Sequence, residues 1–178
     1  MVPEAPLERT ERAAVSAGEG WFVLNAQGAA WFESDGHGFF APFEGENARF
    51  PQHGSNLNTL RPGEPSCMYH GEDAQEDFLV LAGECTLVVE GQERPLRTWD
   101  FVHCPPWTEH VFVGAGDRPC LLLAVSHREK GRGLRYPVNE AALKHGAGVE
   151  RETNDPNEAY ARFGELEPVP CPDGFPRS

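Results

Sequence analysis

Two histidines and two carboxylates near the middle of the chain could hold a metal ion. The stretch "CMYHGEDAQEDFLVLAGE" carries His70, Glu72 and Glu76 just before a hydrophobic run, and His110 opens a second run, "HVFVG". Since side chains alternate along a strand, His70 and Glu72 share one face. An acid that heads a core-facing strand is costly unless something pairs with it, and divalent transition metals bind imidazole and carboxylate together. These four residues predict a metal site, and the alternative is a solvated acidic turn.

Four neighbouring side chains are predicted to line a pocket beside that site. Met68, Phe78 and Phe112 share the presumed inward face, where they form either ordinary core or a pocket wall. His103 lies in "FVHCPP", shortly before His110. A structural histidine held by hydrogen bonds is the alternative for His103.

Short strand-like segments separated by turn residues must position these side chains. They lie at residues 21–25, 29–33, 38–43, 55–60, 77–90, 93–104, 109–114 and 120–127. Gly91 and Gln92 mark a hairpin turn in the middle of the series. About eight to ten short strands between residues 20 and 127 are typical of a β-sandwich or a closed barrel. The sequence therefore predicts an all-β domain over residues 20–135.

The chain changes character after the predicted barrel. Asn139 and Asp155 are suitable helix N-caps, Pro156 suits a first helical position, and Gly146 and Gly164 suit helix ends. We expect two short helices within residues 136–164. Residues 1–19 and the Pro-rich tail, residues 165–178, are expected to be an N-terminal extension and a flexible segment that are only loosely ordered.

Composition restricts the classes of function. The 178 residues contain 28 acidic and 15 basic side chains, a net charge of −13, which disfavours nucleic acid and anionic membrane surfaces as partners. The start of the chain lacks a signal-peptide pattern. The 5 cysteines are odd in number and form no CxxC motif, so we expect free thiols and a cytoplasmic protein.

The site residues resemble the two sequence motifs of the cupin superfamily. Gly63, His70, Glu72, Glu76 and Gly83 follow the first motif, G…H-x-H-x(3 or 4)-E-x6-G. Pro105 and His110 follow the second, P-x-G-x2-H. The resemblance covers residues 63 to 126. It implies a cupin-type double-stranded β-helix, or jelly-roll barrel, with one divalent transition metal (Fe, Mn, Zn or Ni), as in small single-domain bacterial cupins.

Two departures from these motifs affect the site. Trp107 stands where the second motif has glycine, and Glu72 stands where the first has a ligand histidine. The resemblance carries His70, Glu76 and His110 over as ligands, and Glu72 only by position. If Glu72 binds, the site has two histidines and two carboxylates. If Glu72 turns away, a two-His, one-carboxylate set remains with open positions, as in non-haem Fe(II) oxygenases.

The resemblance also sets the expected function. It implies a metal-dependent enzyme that acts on a small organic molecule, with oxygenase chemistry as the leading prediction. The alternatives are a sugar-type isomerase, a decarboxylase, or a metal-binding or ligand-sensing module without turnover, because a fold alone does not decide function. Proteins of this kind commonly form homodimers, which we also expect here.

Overall fold

The computed structural model describes residues 1–11, 13–34, 36–45, 48–128 and 133–175. Its secondary structure is mostly antiparallel strand, with one short 3-10 turn (Ala26–Gly28) and two short α-helices. The strands are β1 (Leu7–Arg9), β2 (Ala14–Ser16), β3 (Trp31–Glu33), β4 (Phe39–Pro42), β5 (His53–Leu60), β6 (Gly71–Glu72), β7 (Glu76–Ala82), β8 (Glu84–Val89), β9 (Gln92–Arg97), β10 (Phe101–Cys104), β11 (His110–Ala115), β12 (Cys120–His127), β13 (Leu134–Arg135) and β14 (Glu167–Val169). The helices are α1 (Glu140–Lys144) and α2 (Pro156–Ala159).

Two antiparallel sheets face each other and form the barrel. One has seven strands in the order β10-β7-β12-β5-β4-β3-β14, and the other has three, β11-β8-β9. A two-stranded ribbon, β13-β6, continues the smaller sheet beside β11 through a bridge between His70 and His110. The all-β, double-stranded β-helix fold predicted from the sequence is confirmed.

The barrel interior is apolar and densely packed. Its core takes side chains from both sheets: Leu60, Phe78, Val80, Cys85, Leu87, Cys104, Phe112, Cys120, Leu122 and Ala124. Alternation along β7 sends Phe78 and Val80 inward, as the sequence pattern predicts. Burial of this apolar surface is the main stabilising contribution to the barrel, at about 25 cal/mol per Å².

The turn that leads from β7 in one sheet to β8 in the other depends on one glycine. Gly83 has φ +74°, a left-handed conformation. A Cβ atom on Gly83 would lie 2.4 Å from the backbone oxygen of Pro119. Only glycine meets both requirements without strain, so Gly83 fixes the start of β8 and with it the pairing of β8 and β11.

The C-terminal segment packs against the outside of the seven-stranded sheet, and the N-terminal extension forms a ribbon of two strands, β1 and β2. Trp31, Phe39 and Leu57 form a second apolar cluster there, against which Val169 and Phe175 pack. The prediction of loose order did not anticipate these contacts: β1 pairs with β2, and β14 pairs with β3. Arg12 and residues 176–178, which also belong to the predicted extension and tail, lie outside the described residues.

The predicted strand at residues 21–25 is wrong, because Trp21 forms only an isolated bridge with Glu4. Trp21 and Val23 are exposed, so this apolar run has no sheet to face. Strands β7 to β12 correspond to three predicted parts of the chain, namely the hairpin and the segments at residues 109–114 and 120–127.

The helix α2 closes one end of the barrel beside Met68 and Tyr136, whereas α1 packs on the outer face of the three-stranded sheet, against Val88 and Val111. The Asn139 side chain accepts a hydrogen bond from the Ala142 N–H, and the Asp155 side chain accepts one from the Asn157 N–H, so both predicted N-caps are confirmed. The second helix ends at Ala159 and does not reach Gly164, because residues after Tyr160 form turns. No helix among the described residues is long and apolar enough to cross a bilayer.

His37 attaches the barrel to this C-terminal segment. Its ring is 8% exposed and stacks on Phe163 with 3.7 Å between ring centroids. Burial and the nearby Arg162 guanidinium lower the pKa of His37 to about 4. When the pH falls below the ordinary pKa of histidine, His37 in the unfolded chain binds a proton. In the folded chain His37 stays neutral until about pH 4, so acidification over this range favours unfolding.

We therefore expect the metal-free protein to lose about 1–2 kcal/mol of stability through His37 between about pH 7 and about pH 5. His37→Phe keeps a ring on Phe163 and removes the charge, so its stability should fall less over that range. Urea unfolding of both proteins at the two pH values measures the difference. Equal losses would contradict the assignment.

Candidate metal centre

The two histidines lie opposite each other on adjacent strands. The His70 N–H donates to the His110 carbonyl at 3.2 Å, and the His110 N–H donates to the His70 carbonyl at 2.9 Å. This reciprocal pair places both side chains on the inner face, with ring centroids 5.1 Å apart. His110 is 2% exposed, so its ring is almost fully removed from solvent.

Backbone carbonyls fix the orientation of both rings. His70 Nδ1 lies 2.8 Å from the Met68 carbonyl oxygen, and His110 Nδ1 lies 2.9 Å from that of Thr108. A carbonyl can only accept, so each Nδ1 carries a proton and each Nε2 is the nitrogen left to bind a metal ion. Histidines that bind metals are oriented by this kind of outer hydrogen bond.

Glu76 supplies the third donor from the opposite sheet. Its Oε2 lies 3.5 Å from His110 Nε2. One ligand atom from each of His70, Glu76 and His110 lies within 4.8 Å of the other two. Two imidazole nitrogens and one carboxylate oxygen at these separations fit a divalent transition metal.

The two histidines have opposite pKa shifts. Burial disfavours the charged form of His70, but the Cys67 sulfur and the Glu76 carboxylate outweigh it and raise the pKa of His70. Burial and the neighbouring His70 lower the pKa of His110 to about 3. In the metal-free protein the positive charge beside Glu76 therefore resides on His70, and a bound cation would replace it.

Glu72 lies next to this group but not within it. Its Oε1 accepts a hydrogen bond from the Ser126 hydroxyl at 3.2 Å, and its backbone oxygen accepts from the Trp107 N–H at 2.7 Å. Among the described residues the convergent ligand atoms belong to the other three side chains. Glu72 as a fourth ligand stays a prediction.

The predicted pocket residues occupy different places. Phe78 and Phe112 lie under His110, with ring centroids 5.2 Å and 5.9 Å from it. Met68 is buried near the closed end, together with Tyr136. His103 lies on the outer face, where its Nδ1 is 2.7 Å from Asp77 Oδ1, so the structure does not bring it into the pocket.

Trp107 occupies the glycine position of the second motif in a glycine-like conformation. Its φ is 70°, which costs a non-glycine residue about 1 kcal/mol. The Arg135 guanidinium lies 5.5 Å from the centre of the Trp107 ring. The motif's turn geometry is therefore kept although its glycine is missing.

Sequence reasoning missed two residues next to the centre. Tyr136 has its ring centroid 6.0 Å from that of His70, and Ser126 binds Glu72. The residues before Tyr136 show no clear periodicity in the sequence. Tyr136 reaches the centre because β13, which precedes it, pairs with β6, which follows His70. The Cys67 sulfur also lies near the centre, 3.7 Å from His70 Nδ1.

A double-stranded β-helix that brings two histidines and a glutamate together inside one end is the architecture of a metal-binding cupin domain. The family model described as "Cupin domain" matches residues 56–126. Residues 56–126 therefore form a cupin domain, as the motifs predicted.

Comparison with known proteins gives relatives of differing activity. Gentisate 1,2 dioxygenase 1 from Aquipseudomonas alcaligenes is 24% identical over 115 residues, which are 62% of this chain and 31% of the dioxygenase. The chain thus spans about a third of that relative.

Two solved structures resemble the fold. A sugar phosphate isomerase of the cupin superfamily from Silicibacter pomeroyi has a TM-score of 0.52 and 26% identity, over 60% of this chain and 73% of that one. A conserved protein with a double-stranded β-helix domain from Klebsiella pneumoniae has a TM-score of 0.53 and 16% identity, over 63% of this chain and 95% of that one.

Metal content should separate the two proposed ligand sets. Glu76→Gln removes a converging ligand charge, so we expect its affinity for Zn²⁺ or Co²⁺ to fall at least about tenfold. Glu72→Gln is the matched control, and it should keep about one equivalent of metal if three ligands suffice. Competition titration with a chromophoric chelator measures both affinities. Equal losses in the two variants would instead place Glu72 among the ligands.

Proposed function

We propose that this protein is a metal-dependent enzyme that acts on a small organic molecule, with oxygenase chemistry as the leading assignment. The observation that carries the proposal is the convergence of His70, Glu76 and His110. Two histidines and one carboxylate leave several positions of an octahedral ion for other ligands, the arrangement of non-haem Fe(II) oxygenases. The partial similarity to gentisate 1,2 dioxygenase 1 supports the same chemistry.

The protein's own residues would bind the ion and shape the pocket around it. The ion, when bound, would supply Lewis-acid or redox chemistry at the open positions. Phe78 and Phe112 provide an apolar floor at 4.5 Å between ring centroids, which excludes water from one side. Glu72, held by Ser126, places a carboxylate beside the pocket, where it can accept a hydrogen bond from a bound molecule.

An isomerase that acts on a sugar or sugar phosphate is the second candidate. The similarity to the sugar phosphate isomerase from Silicibacter pomeroyi supports it, and so does the presence of a carboxylate, Glu72, outside the three-residue group. A decarboxylase would use the same open positions on the metal. A binding module without turnover would have the same ligands but would release its ligand unchanged.

Elemental analysis and oxygen uptake test the leading assignment. We expect protein purified without a metal-affinity column to carry about one equivalent of Fe, Mn, Zn or Ni, and His110→Ala to lose it, because two remaining ligands hold an ion weakly. An oxygen electrode with the iron-loaded protein, and gentisate as the first compound tested, then measures turnover.

The outcomes distinguish the candidates. Metal-dependent oxygen uptake that His110→Ala abolishes supports the oxygenase. Full metal content without oxygen uptake, together with interconversion of aldose and ketose phosphates, supports the isomerase. A folded wild-type protein that takes up no metal contradicts both.

We also propose a cytoplasmic homodimer. All five cysteines are free thiols, as expected in a reducing compartment. Strand β10 forms one edge of the seven-stranded sheet, and Trp99 and Phe101 on this edge are 72% and 63% exposed. Trp99 has φ 76°, so a strained backbone holds an aromatic ring in solvent. A second copy fits this edge because antiparallel pairing about a two-fold axis would satisfy identical donors and acceptors on both copies.

Light scattering after size-exclusion chromatography tests this edge. We expect the wild-type protein to elute at twice the mass of the chain, and Phe101→Lys to shift it to the single-chain mass, since a charge would be buried in the interface. Val23→Lys, at an exposed apolar position away from β10, is the control and should remain dimeric. A wild-type monomer, or a dimeric Phe101→Lys, would refute the proposal.

A further inference from the structure

Strand pairing places a tyrosine in line with the two histidines. β13 pairs with β6 so that Leu134 lies opposite Glu72 and Arg135 lies opposite Gly71. The next step of this antiparallel register brings Tyr136 opposite His70, on the same face. His70 in turn bridges His110 on its other side. Tyr136, His70 and His110 therefore form one row across three strands.

The Tyr136 side chain is buried beside the metal group. It is 4% exposed, and its ring centroid lies 6.0 Å from that of His70. Its backbone N–H donates to the Thr153 carbonyl at 2.8 Å, and its carbonyl accepts from the Thr153 N–H at 3.2 Å. These bonds fix the residue on both sides of its Cα, so the phenol has a defined position relative to His70.

A second tyrosine supports the phenol from behind. The Tyr160 ring packs edge-on against Tyr136, with 5.9 Å between centroids. The Met68 N–H donates to the Tyr160 hydroxyl oxygen at 3.1 Å, and the Tyr160 and Tyr136 hydroxyls interact with each other. Because the Tyr160 hydroxyl oxygen accepts from Met68, its proton can point towards Tyr136, and the Tyr136 proton is then available to a further acceptor. Hydrogen bonds in such a chain strengthen one another.

The chemistry of the surroundings defines that acceptor. The Tyr136 phenol is buried, and its hydroxyl can donate one hydrogen bond. Phe78, Phe112 and Met68 contribute apolar surface, and the Glu72 carboxylate, held by Ser126, is the polar group beside them. Arg135 directly precedes Tyr136, so its side chain lies on the opposite face of the strand. There its guanidinium pairs with the Glu109 carboxylate at 2.7 Å. A phosphate group favours several charged donors, whereas a carboxylate or enolate oxygen is well served by one phenol and a metal ion.

We propose that Tyr136, supported by Tyr160, donates a hydrogen bond to an oxyanion of the substrate in the metal pocket, and that the substrate is a small organic acid. This inference rests on the proposed function and extends it by naming the substrate class. Tyr136 is a specificity-determining residue in this assignment, and Tyr160 is a positioning residue that acts through it.

Cobalt-loaded protein gives a readout that needs no turnover. Co²⁺ replaces the native ion, and the visible spectrum is titrated with oxalate as the organic-acid probe and with inorganic phosphate for comparison. Removal of a hydrogen bond to a charged ligand should raise the dissociation constant for oxalate roughly tenfold in Tyr136→Phe and by a smaller factor in Tyr160→Phe. Cobalt stoichiometry should stay at that of the wild type in both variants.

Tyr69→Phe is the matched control, because Tyr69 is the third of the chain's 3 tyrosines. It is also buried, but its hydroxyl accepts from the Gly91 N–H and donates to Glu109, on the face away from the metal group. Its affinity for oxalate should equal that of the wild type.

Each failure has a separate meaning. A wild-type chain that takes up no cobalt overturns the proposed function together with this inference. Full cobalt content with unchanged oxalate affinity in Tyr136→Phe overturns the role of Tyr136 alone. Tighter binding of phosphate than of oxalate overturns the substrate class and favours the sugar phosphate reading.

Discussion

The reciprocal backbone pair between His70 and His110 is the constraint on which the rest of the site depends. It joins the short ribbon of β6 and β13 to the sheet of β8, β9 and β11. A shift of one residue in this pairing would turn one imidazole to the outside. Both Nδ1 atoms also bond to backbone carbonyls two residues before their own rings. Fold and ligand geometry are therefore set by the same few hydrogen bonds.

This constraint makes the centre rigid in a way that side-chain contacts alone would not. Each imidazole has one fixed nitrogen, and the phenylalanines beneath it leave little room for other rotamers. The carboxylate of Glu76 comes from the opposite sheet, so the ligands also link the two halves of the barrel. A metal ion bound here would stabilise the folded state by its binding free energy.

The sequence predicts those parts of the molecule that depend on local patterns. Alternation and turn residues give β7 to β12, and capping residues give the starts of both helices. The features that the sequence could not predict depend on contacts between residues that are far apart in the chain. Tyr136 reaches the centre only because β13 pairs with β6, and the spacing of Glu72 from His70 does not reveal that its carboxylate bonds to Ser126. His103 shows the same limit, because the position of a residue in a strand gives its face only when the register of that strand is known.

The apolar core beneath His110 limits where this domain can change its pocket. Phe78 and Phe112 fill the space beneath His110, and Cys85, Cys104 and Cys120 pack in the same core, so the pocket can vary only at its rim. Much of that rim comes from residues 133–163, beyond the segment that matches the cupin domain. The matched segment thus carries the three candidate metal ligands, whereas a separate stretch of chain carries Tyr136 and Tyr160 beside them. Evolution can exchange the second without disturbing the first, which is a physical reason why one domain can be similar in sequence to part of a dioxygenase and in fold to a sugar phosphate isomerase.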